Sequence, residues 1–65
     1  MKVIMTEQEF GSRKWEVAID DDGNLWETYY EYFKELGWKR IGMAERISKE
    51  YFEEMYCVGY EEVIK

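Results

Sequence analysis

Alternation of apolar and polar positions is clearest at residues 14–20, where Trp15, Val17 and Ile19 point one way and Glu16 and Ala18 the other. That period of two predicts a half-buried strand. Residues 2–8 begin apolar and β-prone, and predict a strand that pairs with it as a hairpin through Gly11-Ser12. Residues 25–36 follow a longer period. Leu25, Tyr29, Tyr32, Phe33 and Leu36 share one side of a helical wheel, and Glu27, Glu31 and Glu35 line the other. Asn24 with Glu27 three residues on resembles a capping box, and Gly37 offers a C-terminal cap, so the pattern predicts a helix here. A strand is the rival reading, because Trp, Tyr and Thr favour sheets and Asp22-Gly23 is a hairpin turn signal.

Ile41 and Met43 at alternate positions predict a strand near 39–45. Ser48 is a good N-cap for a helix over 49–58, with Tyr51, Phe52, Met55 and Val58 on its apolar side and Gly59 ending it. Residues 60–64 predict a closing strand. The sum is one α+β domain over residues 1–65, a small antiparallel sheet with helices packed on one face.

A chain of 65 residues buries only about 60% of the surface it exposes when unfolded, so its core is marginal. A single Cys57 and no histidine preclude an internal disulfide and make zinc a poor expectation. Support from a second subunit is therefore expected, as a homodimer. The net charge of −6 points away from nucleic acid and anionic membrane and toward basic protein surfaces. No apolar run reaches the ~20 residues of a membrane span, no signal-peptide pattern opens the chain, and a lone thiol suits a reducing cytoplasm. Against this acidity, Lys34, Lys39, Arg40, Arg46 and Lys49 outnumber Glu35 and Glu45 locally. Such asymmetry favours self-association or a two-signed binding face.

Candidate catalytic chemistry is sparse, and the expectation is a protein that is not an enzyme and needs no cofactor. Catalysis by proton transfer usually relies on a base near neutral pH, and histidine is absent. Cys57 has no histidine partner and is expected at a helix C-terminus, where the dipole disfavours thiolate. The run Asp20–Asn24 resembles part of a calcium loop. With Gly23 at the sixth position, however, the first position is Ala18 and the twelfth Tyr29, where carboxylates are required. A turn is the simpler reading. Gly37 and Gly42 have no partners at phosphate-loop spacing. What remains is Glu27, Glu31 and Glu35, which on a helix would stand about 6 Å apart along the axis, close to the phosphate spacing of a DNA strand. Tyr30 beside them adds an aromatic of the kind that marks interfaces. The row suggests DNA mimicry, although any amphipathic helix needs a polar face.

Three blocks then carry a resemblance: Asp20-Asp21-Asp22-Gly23; Tyr29-Tyr30-Glu31-Tyr32 with Lys34; and Ile47 to Tyr56 leading to Glu61-Glu62-Val63-Ile64-Lys65. In this order they resemble the small uracil-DNA glycosylase inhibitor family of Bacillus phages, over a little under half of the chain. The resemblance implies a homodimer with an antiparallel sheet and a helix that occupies the enzyme's DNA-binding site. An apolar pocket at the dimer would receive an intercalating leucine. It implies contact roles for Phe52, Glu53 and Tyr56 on the helix and for Glu31 and Tyr32 on a strand. It also makes 25–34 a strand, and gives 35–46 no counterpart.

The expected function is that of an acidic, dimeric, phage-type inhibitor that blocks a host DNA-handling or anti-phage defence protein with a basic or DNA-binding surface. Its contact residues would be Glu27, Tyr30, Glu31, Glu35, Phe52, Glu53 and Tyr56. Two alternatives stand beside it. One is a nucleotide-sequestering module, with Trp26, Tyr30 or Trp38 stacking on a base and the basic 34–49 segment holding phosphates. The other is a plain protein-interaction module.

Overall fold

The computed structural model describes residues 1–64 as an antiparallel sheet with two short helices, an α+β architecture. Strands β1 (Lys2–Glu9), β2 (Arg13–Ile19), β3 (Leu25–Phe33) and β4 (Gly37–Arg40) form a meander in sequence order, and β5 (Glu45–Ile47) returns to pair with β3 beside β4. Helix α1 (Lys49–Tyr56) and the single turn α2 (Tyr60–Val63) follow.

Register decides which residues share a face, because directly opposed residues of antiparallel strands project to the same side. Trp15 opposes Tyr29, Val17 opposes Glu27, and Ile19 opposes Leu25, which in turn opposes Ile47. A bulge between Val3 and Met5 breaks the alternation in β1. Ile4 and Met5 consequently both pack against the core on this side. Onto it α1 lowers Phe52, fully buried with Val17 against Leu25 and Tyr60. Burying one such side chain contributes about 1.5–3 kcal/mol. Among the described residues the core is four buried side chains ringed by half-covered hydrophobic ones, Tyr56 among them.

The predicted helix at 25–36 is a strand. Leu25, Glu27, Tyr29, Glu31 and Phe33 alternate toward the α1 side, while Trp26, Thr28, Tyr30 and Tyr32 face away. Both faces carry aromatics and the core side carries two glutamates, which hides the period of two. Pairing with β2, β4 and β5 overrides the local helical pattern. Asp20–Asn24 is the β2–β3 turn: Asp20 Oδ1 accepts the Asp22 and Asn24 N–H groups at 2.9 Å each, and Oδ2 accepts Trp26 Nε1–H at 2.9 Å. Those bonds, that from Trp26 first, hold the Asp20 carboxyl below its ordinary range.

Three further boundaries move. The strand predicted at 39–45 divides into β4 and β5, because the chain leaves the sheet through Gly42 at φ +79° after Ile41 N–H bonds Tyr29 O at 2.8 Å. The closing strand predicted at 60–64 is instead α2. Tyr60, Val63 and Ile64 reach the core at helical spacing, and Glu53 Oε2 accepts the Tyr60 N–H at 2.8 Å. Helix 49–58 ends earlier, at Tyr56. Its start is as expected, with Ser48 Oγ accepting the Tyr51 N–H at 3.0 Å.

Cys57 caps α1 in the left-handed region, at φ 56°, with its side chain exposed. Glycine occupies such positions without the Cβ penalty. Cys57→Gly is therefore expected to stabilise the fold by about 0.5–1 kcal/mol, read as a rise of a few degrees in the midpoint of thermal unfolding by circular dichroism.

Candidate functional site: an acidic cleft beside the helix

Helix α1 is eight residues long and covers one end of its sheet face. The uncovered remainder is a cleft floored by Trp15 and Tyr29, whose rings meet at 5.1 Å. Two hollows share Trp15 and Glu27. One, of ≈ 320 Å³, is bounded by Glu7, Glu9, Tyr51, Met55 and Tyr56. The other, of ≈ 250 Å³, continues to Tyr29, Ile41, Gly42, Met43 and Glu45.

The charged residues lining the two hollows are all carboxylates, while Arg13 and Lys39 lie further along the same face on either side of Glu31. Glu27 opposes Glu45 directly across β3 and β5, an arrangement that costs about 0.2–1 kcal/mol where both are ionised. Glu9 lies 3.8 Å from Arg13, whereas Glu7, Glu27 and Glu45 form no ion pair with a described base. Glu27 is held by the Tyr56 hydroxyl, which donates to Oε2 at 2.6 Å. Burial, and then this bond and the Glu27 charge, push the Tyr56 phenol far above its ordinary pKa. The charge of Glu27 is likewise the main cause that raises Tyr51. Tyr29 donates to Glu31 Oε2 at 2.8 Å and is raised first by burial and then by that carboxylate. The rim is apolar and open, with Met43, Met55, Tyr51 and Ile41 all exposed.

The hairpin tip next to Glu9 bears Phe10, 91% exposed at φ 54°. Phe10 and Gly11 together form the left-handed pair of a type I′ turn, a position that favours Asn or Gly over a bulky side chain. Folding gives this phenylalanine no contact in exchange for the strain. Such outliers concentrate at functional surfaces.

The residues singled out from the sequence divide accordingly. Glu27, Glu31 and Tyr56 share the α1 side, where Tyr56 meets Glu27 and Glu31 instead takes the Tyr29 hydroxyl. Tyr30 lies on the opposite face, where the Lys14 ammonium sits 4.9 Å from its ring centroid. Glu35 is in the exposed β3–β4 turn, so the three-glutamate row does not form. On a strand Glu27 and Glu31 are about 13 Å apart at ~3.3 Å per residue, twice the helical spacing. Phe52 is a core residue and Glu53 braces α2. Tyr32, on the face away from α1, is 48% exposed. Sequence reading missed Glu7, Glu9, Trp15, Tyr29 and Glu45, which converge from four strands. The one local signal was Phe10 before glycine in a hairpin turn.

No family model matches this chain, and neither a curated protein nor a solved structure matches it. The chemistry of the site therefore rests on its geometry: carboxylates to attract and pair a cation, aromatic rings to stack on it, and an apolar rim.

The Tyr56–Glu27 bond makes a stability prediction. A phenol raised above its unfolded value near 10 contributes stability that is complete below about pH 10 and is lost as the pH rises further. Tyr56→Phe is expected to cost about 1 kcal/mol at pH 7 and to flatten the decline above pH 10, measured by thermal denaturation across the alkaline range.

Proposed function

We propose that this protein is a non-enzymatic binding module that docks its acidic cleft onto a basic surface of another protein in the cytoplasm and blocks it. The observation that carries the reading is the Glu27–Glu45 pair: two like charges held opposite each other on an aromatic floor, with Glu7 nearby, at a cost to the fold that a cationic partner would reverse. The exposed methionines and Phe10 support it, since apolar anchors beside charge are the composition of a protein-binding site. With no histidine in the sequence, binding is better supplied than catalysis. The inhibitory action is the one the phage-family resemblance suggests; the helical phosphate track does not form, because Glu27 and Glu31 lie on β3 and Glu35 in the turn after it. Its specific target, uracil-DNA glycosylase, is the first enzyme to test.

Tagged protein incubated with bacterial lysate is expected to retain a basic-surfaced partner whose recovery falls as salt is raised. Recovery of no such partner would overturn the reading. In a uracil-excision assay, unchanged excision at large molar excess removes that enzyme as the target and leaves the cleft reading standing. Glu45→Gln is expected to weaken partner binding about tenfold while stabilising the free protein by about 0.5 kcal/mol, opposite signs that follow from relieving the like-charge pair. Binding calorimetry and chemical denaturation check the two arms. Phe10→Asn should separate the same two quantities: about 1 kcal/mol more stable through a relaxed turn, and weaker with the partner captured above.

A further inference from the structure

The sheet face turned away from α1 carries the opposite chemistry. Lys14, Tyr30 and Arg40 are direct neighbours across β2, β3 and β4; Tyr32 opposes Trp38 in the next row, and Trp26 opposes Arg46 at the far end. The Lys14 ammonium sits 4.9 Å from the Tyr30 centroid and 4.7 Å from that of Trp38. Trp38 in turn meets Tyr32 edge-on at 5.4 Å. The acids of this face are already engaged: Asp20 closes the β2–β3 turn and holds Trp26, and Glu16 lies 4.0 Å from Lys14. The Arg40 guanidinium forms no ion pair with a described acid. Lys39, from the same basic segment, projects to the other side opposite Glu31.

A flat, aromatic, net-positive surface on a chain of charge −6 is not complementary to the basic partner that the cleft accepts. An apolar partner would strip water from Arg40 without pairing it, which is costly. A simple anion would use the guanidinium and leave the rings exposed. Long single-stranded nucleic acid meets repulsion from the rest of the molecule. One chemistry uses both features. We propose that this face binds a nucleotide, its base stacked on the exposed Tyr32 beside Trp38 and its phosphate on Arg40. Base-on-aromatic stacking is strong on such open sheets, and a guanidinium takes phosphate bidentately. Lys14 and Arg40 lie on either side of Tyr30, their backbones about 10 Å apart at two strand spacings of ~4.8 Å. The site is independent of the cleft on the other face.

The test titrates the protein with AMP, ATP and a cyclic dinucleotide, by calorimetry and by the chemical shift of the Trp38 indole N–H. Saturable binding with that resonance moving is expected for at least one of them. Adenosine, which lacks the phosphate, and the Arg40→Gln variant should each bind about tenfold more weakly. Circular dichroism confirms that the exposed-site variant is folded, and Glu45→Gln on the opposite face should bind as the unaltered protein does. No saturable binding of any nucleotide up to about 1 mM, equal affinity for adenosine and AMP, or tighter binding of a ten-residue oligothymidine each overturns the proposal. The last would make single-stranded nucleic acid the ligand. None of these outcomes bears on the acidic cleft.

Discussion

Docking of Phe52 between Val17 and Leu25 is the contact on which the rest of this structure depends. It fixes the single substantial helix at one end of a sheet that is longer than the helix, and so determines where the sheet is dry and where it is open. The same side of the sheet is hydrophobic under α1 and lined by carboxylates in the hollows beside it. A longer helix would have covered Trp15 and Tyr29 and made a larger core at the expense of the cleft. The molecule is therefore asymmetric in a simple way: a small cluster secures the chain, and much of the aromatic content lies on surfaces.

Glu27 stands at the boundary between the two regions. It takes the Tyr56 hydroxyl from the helix side and faces Glu45 from the strand side. One bond stabilises its charge and the other neighbour opposes it. A residue chosen for the fold alone would have been an aliphatic, as at Leu25 two positions earlier. The carboxylate instead leaves the hollow beside α1 charged where an aliphatic would have extended the core.

The α+β class, the β1–β2 hairpin and the start of α1 could be read from the chain because each has a local cause. Trp15, Val17 and Ile19 alternate cleanly, Gly11 permits the turn, and Ser48 caps the helix. Residues 25–36 could not, since β3 is half-buried on both sides and its glutamates occupy the side where apolar residues mark a strand. A periodicity argument sees Leu25, Tyr29 and Phe33 four apart and finds a helix; strand pairing, which is non-local, decides otherwise. The cleft was illegible for a related reason. Its carboxylates, Glu7, Glu27 and Glu45, are about twenty residues apart from one to the next in sequence, and only register makes them neighbours.

The meander order of β1 to β4 has a kinetic consequence. Each strand pairs with the one just before it, so most of the sheet assembles by closing turns of a few residues. Proteins dominated by such near-neighbour contacts lose little chain entropy before their contacts form, and they fold quickly. The exceptions are the return of β5 to β3, where Leu25 meets Ile47, and the arrival of α1. Those longer closures complete the apolar cluster and shape both walls of the cleft. The walls of the cleft are thus the part of the molecule that depends on the longest chain closures.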